Sequence, residues 1–131
     1  LVPDFDLPTT KARALLPEQV SRADAIYNIA HGALVLKALE LGDEKLLRNA
    51  MQDRLHQNYR RSLITDYEKI ESLVRTTGAA FCLSGAGPTL LCITRDKDLQ
   101  EKLAKKLDAI TDANWTMLPL HVEFQGARVI E

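Results

Sequence analysis

Apolar positions recur along this chain with two different spacings, and the spacing changes at Gly78. Before Gly78 the spacing is mostly helical. Residues 19–41 form the longest stretch, where Ile26, Ile29, Ala30, Ala33, Leu34, Leu36, Ala38 and Leu41 make a helix apolar on more than one face. Such a helix is expected to be buried between layers. Ser21 and Asp24 stand at its start, Gly42 suits its C-cap and Asp43 suits the N-cap of the next helix. That second helix carries Leu46, Leu47, Ala50, Met51 and Leu55 as one stripe. A connector follows Arg60-Arg61, then a third helix over 66–77 lined by Ile70, Leu73 and Val74 and ended by Gly78.

Beyond Gly78 two short uncharged runs, Ala79-Ala80-Phe81-Cys82-Leu83 and Leu90-Leu91-Cys92-Ile93-Thr94, read as buried strands flanking Ser84-Gly85-Ala86-Gly87-Pro88-Thr89. Asp96 or Asp98 then caps a lysine-rich helix with Leu99, Leu103, Leu107 and Ile110 inside and its lysines on a solvated face. Residues 115–124 read as a strand, Gln125-Gly126 as a turn and 127–130 as a closing strand. At the front, Pro3 favours an extended start, and Thr9 or Thr10 can cap a short helical turn that Pro17 stops. The order β–α–α–α–β–β–α–β–β predicts an α+β fold, an antiparallel sheet covered by helices on one face.

Composition narrows the function classes. The 131 residues make one domain, and 18 acids against 17 bases give no basic face, which disfavours nucleic acid and anionic membrane as partners. No uncharged run approaches the roughly 18 residues of a membrane span. Cys82 and Cys92 both fall in apolar runs, which argues neither for a disulfide nor for a metal site. Leu1 is not an initiator residue, so the chain is expected to be part of something longer.

The turn at residues 84–87 has two readings. Glycine permits a tight hairpin on steric grounds alone, and it also lets a ligand reach main-chain N–H groups. Arg13 and Arg60 are similarly open: each could be a solvated surface cation or a bidentate clamp for a carboxylate. His31 suits a packed or interface position and His121 a structural one. His56, one turn before Arg60, could orient it or simply face water. Tyr59 is expected to pack the helix end.

Four separated segments resemble the C-terminal half of the homoserine kinases, a branch of the GHMP small-molecule kinase superfamily. They are Leu1-Val2-Pro3-Asp4-Phe5 leading into Thr9-Thr10-Lys11-Ala12-Arg13, the run Asp53-Arg54-Leu55-His56-Gln57-Asn58-Tyr59-Arg60, the Gly78 to Thr94 strand–turn–strand, and Gly126-Ala127-Arg128-Val129-Ile130. The resemblance implies a ferredoxin-like C-terminal domain and ATP-dependent phosphorylation of L-homoserine to O-phospho-L-homoserine by a cytoplasmic homodimer. It implies that Arg13 and Arg60 contact the substrate carboxylate, that Thr9 adds a hydroxyl, and that Ser84, Gly85, Ala86 and Gly87 lie beside the substrate. It also implies that ATP and Mg²⁺ are held by an N-terminal half whose Gly/Ser-rich phosphate loop this sequence lacks, so the chain alone should be inactive.

Two departures stand out: Gln57-Asn58 replaces the family's Glu-Pro, which bears on the aim of Arg60, and Thr65-Asp66 replaces Pro-Gly, with Asp66 expected to cap the third helix. Rival readings are a mevalonate- or galactose-type GHMP kinase, a ligand-sensing regulatory module, and a domain serving dimerisation.

Overall fold

In a computed structural model of the chain, which describes residues 1–127 and 129, the strands are short and the helices carry most of the core. The elements are β1 (Val2–Pro3), α1 (Thr9–Ala14), α2 (Arg22–Leu41), α3 (Glu44–Ala50), α4 (Gln57–Arg60) with a 3₁₀ turn Arg61–Leu63, α5 (Tyr67–Thr77), β2 (Ala80–Leu83), β3 (Leu90–Ile93), α6 (Lys97–Ile110) and β4 (Trp115–Thr116). β1 pairs antiparallel with β4, and β2 with β3 in the register Ala80↔Ile93 to Leu83↔Leu90. Leu1 and Leu90 exchange both main-chain hydrogen bonds, at 2.8 and 2.9 Å, as opposed residues of an antiparallel pair do. That exchange joins the two ladders in the order β4–β1–β3–β2. With α5 between β1 and β2 and α6 between β3 and β4, this is the α+β fold that the element order predicted, in the ferredoxin-like form that the resemblance implied, with α2 and α3 on the sheet's second face where helices were expected on one face alone.

The core lies where α5 and α6 cover the sheet. Tyr67, Ile70 and Val74 of α5 and Leu99, Leu103 and Leu107 of α6 are buried against Leu83, Leu90 and Trp115. Their spacing of three and four residues keeps each set on one helix face. Each such side chain contributes about 1.5–3 kcal/mol by leaving water. Alternation along β2 and β3 sends Ala80 and Ile93 to the reverse side, where they meet Ala38, Leu47, Val35 and Met51 of the α2–α3 pair.

The caps follow the sequence closely in three places. Ser21 accepts from the Asp24 N–H, Asp43 from Leu46 and Asp96 from Asp98, while Gly42 and Gly78 end their helices at φ 62° and 78°.

Elsewhere the expectations need correcting. α2 is not buried between layers: only Ala38 is fully covered, and Ile26, Ile29 and Leu36 are 57–76% exposed. One thin layer of contacts with α3 cannot cover a helix that is apolar all round. α3 stops at Ala50, so Leu55 lies beyond it. Thr9 and Thr10 do not cap α1; Pro8 occupies the cap position and its carbonyl takes the Ala12 N–H. Only Trp115–Thr116 of the expected 115–124 strand is strand, and Leu118, Leu120, Val122 and Phe124 are exposed. The β1–β4 register sets Met117 opposite Leu1. Tyr59 is 41% exposed rather than packed. The closing strand expected at 127–130, with the Arg128 and Ile130 of its motif, lies largely outside the described residues.

Asp66 does not cap α5. Its backbone sits at φ 64°, a left-handed conformation costly for any residue with a Cβ, in the position where the resembled family has Gly. Its side chain is 1% exposed and turns away from the helix to accept from the N–H groups of Asp112 and Ala113 at 2.8 and 2.9 Å, with Lys69 Nζ at 3.0 Å. These bonds fasten the end of α6 and the start of β4 to the start of α5.

Candidate functional site

α4 is only four residues long and cannot persist on propensity alone. Two side chains hold it. The Asp53 carboxylate accepts from the main-chain N–H groups of Leu55, His56 and Gln57 at 3.1, 2.7 and 2.7 Å, and from Asn28 Nδ2 of α2 at 2.6 Å. Burial raises the pKa of this carboxyl, but the hydrogen bonds from His56, Gln57 and Asn28 outweigh burial and hold it below the ordinary value. Gln57, one of the two departures from the family pattern, uses its Oε1 to accept the Leu83 N–H at 2.7 Å. The start of α4 is thereby tied to the end of β2, immediately before the glycine turn.

Arg60 ends α4 facing inward, only 9% exposed. Its Nε donates to the Ala12 carbonyl of α1 at 3.3 Å, and its Nη1 to the Gly85 carbonyl at 3.2 Å. His56 Nδ1 stands 3.5 Å from the same Nη1. No described carboxylate pairs with this guanidinium. Buried charges are normally paired, so a buried arginine held only by neutral groups retains an unmet preference for an anion.

The turn rises beside it. Ser84 N–H donates to Thr89 O at 2.9 Å and Gly87 N–H to Ser84 O at 3.2 Å, which closes the hairpin. Gly85 and Gly87 have φ 62° and 84°, and the Gly87–Pro88 peptide is cis. Their surroundings differ. A Cβ on Gly87 would meet Ile64 Cδ1 at 3.0 Å, with Leu7 and Leu83 close behind, whereas a Cβ on Gly85 would meet nothing within 4 Å. The N–H groups of Gly85 and Ala86 have no acceptor among the described residues. Free donors thus flank open space next to Arg60.

Arg60 and the 84–87 turn are therefore in direct contact, and α1 reaches the same point through Ala12. Thr9 and Arg13 lie one helical turn apart on α1, so they share a face; both are exposed, and neither side chain has a partner among the described residues. Two surface cavities, of about 320 and 270 Å³, are lined by Asp108 with Thr111 to Trp115 and by residues of α5 and α6. Neither includes this group. The group opens to solvent instead of being enclosed.

Sequence reasoning singled out Arg60 and the turn, and Gln57 only as a departure bearing on the aim of Arg60; it gave no role to Asp53 or Asn28. Asp53 was in view, three residues before His56, yet its bonds run to main-chain N–H groups and to α2, which residue types do not reveal. Cys82 and Cys92 lie on β2 and β3 as unpaired thiols, each pushed up to about 11 by burial.

Residues 35–111 match the family described as GHMP kinases C terminal. The chain is 43% identical over 135 residues to a homoserine kinase of Crocosphaera subtropica, covering 98% of this chain and 42% of that protein. It is 38% identical to a homoserine kinase of Clostridium beijerinckii, covering 100% of this chain and 45% of that one. It thus spans less than half the length of the curated relatives it matches. A crystal structure of a homoserine kinase from Cytophaga hutchinsonii superimposes with a TM-score of 0.76 over 86% of this chain and 37% of that chain, at 23% identity, which is likeness of fold.

Proposed function

The chain belongs to the GHMP kinase C-terminal family, and on that premise we propose that it forms the substrate-carboxylate side of a homoserine kinase. The observation that carries this reading is the buried Arg60 guanidinium, which has no acidic partner among the described residues and lies against a glycine turn with free N–H donors. An amino-acid alcohol presents a carboxylate of matching charge and geometry. Arg60 donates to that carboxylate from its buried side and Arg13 from the exposed face of α1, with the Thr9 hydroxyl beside it. Residues 84–87 line the path toward the reacting hydroxyl.

The residues present fit this partial task and not the rest of it. Phosphoryl transfer depends on alignment and charge neutralisation more than on a covalent partner. The homoserine hydroxyl oxygen attacks the γ-phosphorus of ATP, the bond to ADP oxygen breaks, and the hydroxyl proton passes to water. This sequence carries no glycine-rich phosphate loop, so ATP and Mg²⁺ are assigned to a preceding half of the enzyme. The chain then contributes binding and orientation of the amino-acid end. The exposed apolar residues of α2 favour a contact with another protein surface, in keeping with a cytoplasmic homodimer.

The test is Arg60→Lys in the complete enzyme. Lysine keeps the charge but loses the planar fork, which costs about one hydrogen bond to a charged group, roughly 1.5–3 kcal/mol. The KM for homoserine should rise about 10- to 100-fold while that for ATP stays within twofold. An unchanged homoserine KM excludes Arg60 as the carboxylate clamp.

A further inference from the structure

Arg60 sits at the end of a chain of contacts that begins on α2, and the chain ends at the donor the proposed reaction needs. Asn28 donates to Asp53, Asp53 Oδ1 lies 3.6 Å from His56 Nε2, and His56 Nδ1 lies 3.5 Å from Arg60 Nη1. The direction of each contact is fixed by chemistry. A guanidinium can only donate, so Nδ1 must accept, which leaves the ring proton on Nε2, toward the carboxylate. The Asp53 side chain is 8% exposed and the His56 side chain 36%, so the charge of the carboxylate acts on the imidazole across a partly solvated gap of 3.6 Å.

The two main-chain bonds to Arg60, 3.3 and 3.2 Å, lie at the long end of the normal range. Alone they fix only the line joining Ala12 and Gly85. His56, one turn back at the N-cap of α4, adds a longer third contact at Nη1, and its ring direction favours one setting of the guanidinium plane.

We infer that Asp53 and His56 are positioning residues for Arg60: the aspartate sets the tautomer of the imidazole, and the imidazole sets the plane in which the guanidinium meets the substrate carboxylate. The inference rests on Arg60 receiving that carboxylate. Neither residue touches the reacting atoms.

The experiment measures homoserine KM, ATP KM and the thermal midpoint of the complete enzyme for His56→Ala, His56→Asn, His56→Gln, Asp53→Asn, the Asp53→Asn/His56→Ala double variant and Arg60→Lys. His56→Ala should raise the homoserine KM about tenfold, the loss of roughly one hydrogen bond, with ATP KM unchanged. Asn places an acceptor where Nδ1 stood and should return the value to within about twofold, whereas Gln reaches toward Asp53 and should not. Asp53→Asn should raise it about threefold, and by less in the His56→Ala background than alone, since the part that runs through His56 is then already lost.

Ala, Asn and Gln all giving one KM, or Ala leaving homoserine KM unchanged while Arg60→Lys raises it, overturns the positioning role alone. An unchanged KM in Arg60→Lys removes the carboxylate reading and this inference with it. The thermal midpoints separate both outcomes from loss of the fold.

Discussion

Arg60 and Asp66 are both nearly buried ions, and the molecule treats them in opposite ways. Asp66 has everything a carboxylate wants: two main-chain N–H groups, the Lys69 ammonium and 1% exposure. Burial raises the pKa of that carboxyl, but the bonds from Ala113, Lys69 and Asp112 outweigh it, so the group titrates below the ordinary value. Arg60 has two long bonds to carbonyls, a histidine nitrogen and no acid among the described residues. A satisfied buried charge fastens elements together; an unsatisfied one keeps a place for something outside the chain. The first should matter to stability and the second to binding.

The sharpest break is Arg60→Met, which keeps the length of the side chain and removes the charge. The homoserine KM of the complete enzyme should rise by about 100-fold or more, the equivalent of roughly 3 kcal/mol, while the unfolding free energy moves by less than about 1 kcal/mol because an unpaired buried charge is lost along with its bonds. Asp66→Ala should do the reverse. Two N–H groups lose their acceptor, so the urea midpoint should fall by the equivalent of about 2–4 kcal/mol, with homoserine KM within twofold. Asp66→Gly should fall less, because glycine relieves the strain of φ 64° while losing the same bonds.

The glycine turn repeats the contrast on a smaller scale. Gly85→Val points into open space, so its stability cost is only the positive-φ strain of about 1–2 kcal/mol, and it should raise homoserine KM by obstructing the ligand. Gly87→Val pushes against Ile64 and should lose more stability than Gly85→Val. Thermal midpoints of the two variants rank them.

Acid should produce the smallest effect. Asp66 and Asp53 both titrate below their ordinary value of 3.8 in the folded chain. The folded state therefore binds fewer protons than the unfolded state in that range, and their stabilisation is fully present above it. It is lost as pH falls from about 4 through the folded values. Asp66→Asn should flatten this acid limb measured by urea titration, and a limb of unchanged slope would show that the carboxylate carries no such linkage.

What was readable in the sequence tracks how local each interaction is. Ser21, Asp43, Asp96, Gly42 and Gly78 act within one turn of themselves, and their caps were legible from residue type and spacing. The strand–turn–strand at residues 79–94 was legible for the same reason. Asp66 looked like a cap, but its partners are 46 and 47 residues away, and nothing in the sequence indicates that loop closure. α2 was misjudged because an all-round apolar helix shows that partners are wanted, not which chain supplies them. The 115–124 strand failed because alternation describes a surface, while a strand also needs a neighbour to bond. At the candidate site, the string ending in Tyr59-Arg60 singled out the arginine; its burial and its lack of a counter-ion among the described residues required coordinates.

The most direct test compares homoserine with 3-aminopropan-1-ol, which keeps the amine and the hydroxyl but has no carboxylate, by calorimetric titration of the complete enzyme. If Arg60 is the charge that the carboxylate completes, the wild type should prefer homoserine by about 100-fold and Arg60→Met should cut that preference at least tenfold, the remainder resting on Arg13. A preference that persists undiminished in Arg60→Met would place the carboxylate elsewhere and contradict the account.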